Sequence, residues 1–242
     1  MNMIQDYYFI SDLHLHPDGL ENIQAFKTFI QSIARPKTAL YILGDFFDYW
    51  VGDDDLNDFT RDIIQQLRFA NHAGLSVYLM HGNRDFLLGK GFCQLAACEL
   101  LTDPTILKQF GQTIVLTHGD LMCTDDIEYL KFRRLVRNRL FQLAFLSTTW
   151  SYRQKMAQKA RHKSKSQQKI VDVTTQGIEQ MARYQPDLLI HGHTHLKDQH
   201  QHDGFNRWVL GDWHKGHGSY IHLNANGVDM LDFDGNQPSK NQ

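Results

Sequence analysis

Residues 40–45 read LYILGD, four large apolar residues stopped by a glycine and a carboxylate. Such a run suits a short strand buried on both faces, and Gly44-Asp45 marks where it ends. The same design recurs outward in both directions. YYFISDLH (7–14) precedes it, and LSVYLMHGNRD (75–85), TIVLTHGD (113–120) and LLIHGHTH (188–195) follow. Each time an apolar run closes on a side chain that can bind a metal.

Between these runs lie helical patterns. Leu20–Ala34 carries Ile23, Phe26, Ile30 and Ile33 on one face, and Leu56–His72 reads as a second helix. Thr105–Phe110 and Thr113–Thr117 form a hairpin around Gly111, and a further helix is expected at about Lys169–Tyr184, before Pro186. Trp208–Leu210, Ser219–Leu223 and Val228–Phe233 have strand periodicity. Strand–helix alternation followed by strands predicts an α/β (α+β) layered domain with mixed sheets. One domain spans 1–242, with a helical insert at 126–169 as the one candidate subdomain. Ligands in open α/β sheets sit outside the carboxyl ends of the strands, so the five loops are expected to converge on one edge of the sheet.

Composition narrows the class. A chain of 242 residues with 42% hydrophobic content buries a sizeable core and is not disordered. No run of about 18 apolar residues is present to span a bilayer. Asp6 and Asp12 stand where an export signal would be basic and then apolar, so none is expected. Cys93, Cys98 and Cys123 are odd in number and form no C-x-x-C, which fits a reducing compartment. Net charge is -2, but twelve of the 25 Lys and Arg fall between Lys131 and Lys169, a stretch without Asp or Glu. Leu135, Val136, Leu140, Phe141, Leu143, Phe145, Leu146 and Trp150 interleave with them. A plain solvated helix face would carry acids for i,i+4 pairing, so an anionic partner is expected here.

The strand ends offer Asp12, His14, Asp45, Asn83, His118, His193 and His195. Taken singly, each is an ordinary turn or surface histidine; five in succession are not. Mixed carboxylate, amide and imidazole donors suit Mn²⁺, Fe or Zn²⁺ better than Ca²⁺, and there is no thiolate set for structural zinc. Seven donors exceed one ion and match two that share a carboxylate. His81, His191 and His214 lie near the motifs, and Asp85 or Asp120 is expected to orient a ligand histidine through its other ring nitrogen.

In order and spacing these blocks resemble the calcineurin-like metallophosphoesterases, whose pattern runs D-x-H, G-D, G-N-H-D/E, H and G-H-x-H. One block departs: Arg84 stands where the general pattern has histidine. Arginine donates no proton at neutral pH but clamps phosphate oxygens, which favours a good leaving group. The longer strings LYILGDFFDYWVGDDD, HGNRDFLLGKGF, THGDLMCTDD and LLIHGHTH resemble the UDP-2,3-diacylglucosamine hydrolase family of lipid A biosynthesis, over residues 5–233.

That resemblance implies a layered β-sandwich flanked by helices, with the insert as a lid. It implies two Mn²⁺ ions, Asp12, His14, Asp45 and His195 holding one and Asp45, Asn83, His118 and His193 the other. Asn83, Arg84, Asp126 and His193 become substrate contacts, joined in the insert by Ser164, Gln168 and Lys169. Arg84, Asp45, Asn83 and His193 are the catalytic set. The implied reaction splits UDP-2,3-diacylglucosamine into lipid X and UMP at the cytoplasmic face of a Gram-negative inner membrane, by a peripheral monomer. Leu140, Phe141, Phe145 and Leu146 would line an acyl pocket, and Arg153, Lys155, Lys159 and Arg161 would attract anionic lipid.

Three rivals remain at this level. Another phosphodiesterase or nuclease could use the same core, although Arg84 and the apolar insert speak against it. A nucleic-acid-binding module could rest on the basic stretch, but its aliphatic bulk exceeds what phosphate tracking needs. A metal-free scaffold is at odds with seven intact donors.

Overall fold

In the computed structural model, residues 3–166 and 172–235 are described. The elements run β1 (Asp6–Ile10), α1 (Leu20–Ile33), β2 (Thr38–Leu43), α2 (Asp58–His72), β3 (Leu75–Met80), α3 (Lys90–Ala96), β4 (Glu99–Leu100), β5 (Thr105–Gln109) and β6 (Gln112–Leu116). After a 3-10 turn at Asp120–Met122 come α4 (Ile127–Val136), α5 (Arg139–Leu146), α6 (Trp150–Ser166) and α7 (Thr175–Ala182). The chain closes with β7 (Leu188–His191), β8 (Asp198–His202), β9 (Phe205–Val209), β10 (His217–Asn224) and β11 (Gly227–Asp234).

The strands divide into two sheets, a six-stranded one in the order β11-β10-β1-β2-β3-β4 and a five-stranded one in the order β5-β6-β7-β9-β8. β1 through β4 run parallel, as do β6, β7 and β9. Period-two alternation assigns the layers. Tyr8 and Ile10 face outward into a cluster with Phe26, Phe29 and Ile30 of α1 and Ile63 and Leu67 of α2. Tyr7 and Phe9 face inward, against Ile114, Leu116, Leu188 and Ile190 of the second sheet. Val115 and Leu189 on that sheet's far side pack on Met122 and on Met181 of α7. The result is a helix–sheet–sheet–helix sandwich. Each large side chain fully withdrawn from water contributes about 1.5–3 kcal/mol, so the first two of these three clusters supply most of the driving force.

One expectation needs correcting. The five motif loops do not share one sheet edge: β1, β2 and β3 belong to one sheet, β6 and β7 to the other. The loops meet across the mouth of the sandwich, stitched by backbone bonds such as Asp12 N–H to the Gly44 carbonyl (3.1 Å) and Gly192 N–H to the His118 carbonyl (3.0 Å).

The insert consists of α4, α5 and α6. Asp126 and Asn138 cap the first two, accepting from Tyr129 N–H and from Leu140 and Phe141 N–H. α5 buries no residue, leaving Leu140 77% and Leu143 66% exposed. The helix expected from Lys169 is seen from Thr175, where Thr174 accepts from Gly177 N–H.

Candidate metal centre

The seven predicted donors come together, in two groups on either side of Asp45. In the first, Asp12 Oδ1 lies 3.4 Å from His195 Nε2 and 4.0 Å from His14 Nε2, and the two imidazole nitrogens are 3.4 Å apart. In the second, Asn83 Oδ1 lies 3.0 Å from His118 Nε2 and 3.1 Å from His193 Nδ1. Asp45 divides its oxygens: Oδ2 is 3.9 Å from His14 Nδ1 and Oδ1 is 3.8 Å from His118 Nε2. By distance alone Asp12 also reaches Asp45 and His118. Its Oδ2, however, is committed to the Ser11 hydroxyl (2.6 Å) and His193 N–H (2.8 Å), which leaves only Oδ1 to give. Asp45 is therefore the better bridge.

Three observations fit this set to divalent cations. Asp12 Oδ1 is buried without a hydrogen-bond partner among the described residues, a costly state that a cation relieves. His118 Nδ1 donates to the Leu43 carbonyl (2.9 Å), which fixes the tautomer and presents the Nε2 lone pair to the site. The backbone is strained here: Asp12, His14, Asp45, His193 and His195 have φ of 55°, 48°, 50°, 69° and 60°. They are five of the ten non-glycine residues with positive φ among those described. Such conformations cost about 1–3 kcal/mol each and persist where surrounding structure imposes them.

Two glycines permit the close approach. A Cβ on Gly82 would lie 2.0 Å from Asp45 Oδ1, and one on Gly192 would lie 2.1 Å from Ser11 Oγ and 2.3 Å from Asp12 Oδ2. Only the missing side chain lets these loops cross.

Electrostatics follow burial. Burial pushes the His14 and His193 imidazoles down to about 3 and about 4, which keeps them neutral and ligand-ready. Burial also pushes Asp45 up to about 7. His118 loses solvation too, yet the carboxylates of Asp45, Asp12 and Asp120 outweigh that and lift it to about 9. For Asp12, desolvation is outweighed by His195, His118 and His14, which hold its carboxyl well below the usual range. Without cations the centre thus keeps protons between Asp45 and His118, and cation uptake must release them.

Asp85 and Asp120 do not orient ligand histidines. Asp85 accepts from Gly82 N–H (2.7 Å) and Phe46 N–H (2.8 Å), tying the second motif loop to the third. Asp120 accepts from Arg133 Nε (2.6 Å) and from the Tyr129 hydroxyl. Tyr129 was not singled out from the sequence, yet its ring lies 6.1 Å from that of His193. The available signal was the spacing of Tyr129, Arg133 and Arg137, one face of a helix; Arg137 Nη2 donates to the Gly82 carbonyl (2.9 Å). His191 is wholly buried. It bonds the Gly192 carbonyl through Nδ1 (2.9 Å) and accepts from Arg207 Nη1 (3.1 Å), so it braces the loop rather than joining the donors.

Arg84 stands at the rim, its N–H on Asp45 Oδ1 (2.8 Å) and its Nη1 3.9 Å from Asp48 Oδ1. Asp126 is engaged as the α4 cap. Gln168 and Lys169 lie outside the described residues, as does the side chain of Ser164, although α6 includes that position.

The basic insert is less free than its sequence implies. Arg153, expected at a lipid surface, is 3% exposed and donates to the Val51 carbonyl (2.6 Å) and to Asp54 (2.7 Å). Trp150 Nε1 and Gln154 Nε2 bond the two oxygens of Asp55 (3.0 and 2.8 Å). Asp53 accepts from Gly89 and Phe92 N–H at the start of α3 (2.9 and 3.1 Å). The acidic triplet 53–55 therefore anchors α3 and α6.

Residues 7–197 match the family model described as calcineurin-like phosphoesterase. The chain is 43% identical over 235 residues to the UDP-2,3-diacylglucosamine hydrolase of Pseudomonas entomophila, covering 93% of this chain and 98% of that one. It is 42% identical to that of Pseudomonas aeruginosa, with the same coverage. The Neisseria gonorrhoeae protein of that name is 40% identical over 228 residues, covering 91% and 95%. Among solved structures, a novel archaeal phosphodiesterase gives a TM-score of 0.50 at 13% identity, covering 94% of this chain and 99% of its own, a likeness of fold alone. With the donors, the sandwich and these relatives in agreement, the chain is a hydrolase of the calcineurin-like phosphoesterases and belongs, within them, to the family of the UDP-2,3-diacylglucosamine hydrolases.

Proposed function

We propose that this chain hydrolyses the pyrophosphate bond of UDP-2,3-diacylglucosamine, releasing 2,3-diacylglucosamine 1-phosphate (lipid X) and UMP. The observation that carries the reading is the double donor group split by Asp45 with Arg84, not histidine, at its rim. The relatives' shared name supports the substrate. The ions are proposed to be Mn²⁺, and when bound they supply an activated water and positive charge for the phosphate oxygens. Asp12, His14, Asp45 and His195 would hold one, and Asp45, Asn83, His118 and His193 the other.

The chain's own groups do the rest. Arg84 forks onto the pyrophosphate and offsets charge as it spreads over the oxygens. Asn83 and His193 position the attacked phosphate. A departing phosphate monoester is already a stable anion, so a permanently charged arginine suffices where the general family pattern places a proton-bearing histidine. Asp126 with Ser164, Gln168 and Lys169 is proposed to contact the sugar and phosphates. The exposed apolar face of α5 is proposed to meet the acyl chains, with the chain acting as a monomer on the inner face of the inner membrane. No helix among the described residues is long and apolar enough to cross a membrane. A nucleic-acid-binding role is disfavoured because Arg133 and Arg153 of the basic stretch are ion-paired within the protein itself.

The test is direct. Purified protein with Mn²⁺ should convert UDP-2,3-diacylglucosamine into equal amounts of UMP and lipid X by mass spectrometry, faster than it cleaves a small phosphodiester. Equal rates on both, or no UMP, would overturn the substrate.

A further inference from the structure

Beside α4 lies a groove of about 460 Å³ lined by none of the seven donors. Arg133, Arg134 and Arg137 of α4 face it together with Thr124, Asn138 and Gln180, and no carboxylate lines it among the described residues. Arg133 is neutralised by Asp120 and, at 3.7 Å, by Asp103. The other two guanidinium groups have no charge partner among the described residues. Arg137 gives its described bond to the neutral Gly82 carbonyl (2.9 Å), and Arg134 is exposed, with no ion pair among the described residues.

Arg133 and Arg134 lie four and three residues before Arg137, spacings at which like charges repel along a helix. A solvated basic face would spread such groups over open surface. Here neutral donors from other elements complete a concavity. Asn138 uses its carbonyl oxygen to cap α5 (2.9 Å to Leu140 N–H), which leaves its amide hydrogens for the groove. Gln180 adds a second amide from α7, while the Thr124 hydroxyl is engaged with that of Thr174 (2.6 Å). Planar forks and amides without an acid make up the recognition chemistry of a doubly charged phosphate.

We propose that this groove is a second anion site, separate from the metal centre, that takes a phosphate monoester. Arg137 joins the two, touching both the groove and the carbonyl of the residue before Asn83. The ligand class rests on the groove's own chemistry, and only the use of UMP as a probe rests on the proposed reaction.

Full-length protein loaded with Mn²⁺ is dialysed against inorganic phosphate and, separately, UMP, and is floated with vesicles of phosphatidylcholine with or without phosphatidic acid. Arg134→Glu is compared with Lys108→Glu, the same charge change at an exposed position on β5, outside the insert. Wild type and Lys108→Glu should hold one more phosphate or UMP per chain than Arg134→Glu, whose affinity at that site falls at least about tenfold. If the source is a lipid headgroup, the selective loss appears instead in flotation with phosphatidic acid. Should Arg134→Glu misfold, Gln180→Glu replaces it with the same expectation. Equal stoichiometry and equal flotation in all three proteins, or equal losses in both variants, would overturn the site. A chain that fails to release UMP from UDP-2,3-diacylglucosamine yet binds the extra phosphate would sink the proposed reaction and leave the groove standing.

Discussion

Arg153→Met removes the pin that fastens α6 to the loop after β2 while keeping most of the side chain's volume. The guanidinium donates to the Val51 carbonyl (2.6 Å) and to both oxygens of Asp54. Asp54 is 60% exposed, so its share belongs to the surface range of about 0.2–1 kcal/mol. Val51 is 1% exposed, and leaving its carbonyl without a donor costs about 1–3 kcal/mol. Together the loss is about 1–4 kcal/mol, or about 2–16 °C in melting temperature for a domain of this size. The hydrogen bond from Arg153 holds the Asp54 carboxyl below its ordinary 3.8, against a smaller opposing effect of burial. Its contribution is therefore present above that value and lost as pH falls through the depressed one, so the gap to wild type narrows in acid. Thermal melts by circular dichroism, with hydrogen exchange read over α6, measure both. If Arg153 were a free lipid-facing charge, the variant would melt with wild type, exchange normally and bind anionic vesicles more weakly. That result would refute the anchoring.

Asp45→Ala should lose both ions, since its two oxygens face the two donor groups, whereas His14→Ala or His118→Ala should weaken mainly one; metal analysis after dialysis tells these apart. Arg84→Lys keeps charge without the fork and should cost about 10–100-fold in kcat, and Arg84→Ala more; an unchanged kcat/KM would remove Arg84 from the reaction. Phe141 and Phe145 stack on α5 with centroids 6.3 Å apart, and their double alanine variant should lose the diacylated substrate while keeping turnover of a small phosphodiester. Parallel loss of both activities with a lowered melt would assign them to packing instead.

The candidate metal centre was legible in the sequence because each of its pieces is contiguous: an apolar run, a glycine and a donor lie within a few residues. What was not legible depends on partners far along the chain. β1 and β6 look alike as sequence, and only pairing such as Tyr7 with Leu223 and Ile114 with Leu188 assigns them to different sheets. Arg153 reads as one of many basic residues until Asp54, 99 positions away, is beside it. α3 is too short at seven residues to show helical periodicity, and β8, DQHQH, is an edge strand with no apolar alternation. Asp85 and Asp120 were misread for a related reason. A carboxylate near a histidine in sequence suggested an imidazole partner, but backbone amides and an arginine reach those oxygens first.

The central claim is a pair of ions joined by Asp45. Electron paramagnetic resonance of the chain loaded with Mn²⁺, alongside metal counting, tests it most directly. Two ions per chain with the multiline spectrum of an exchange-coupled pair, lost in Asp45→Ala, is the predicted result. A single ion, or two ions with uncoupled six-line signals that survive Asp45→Ala, would contradict it.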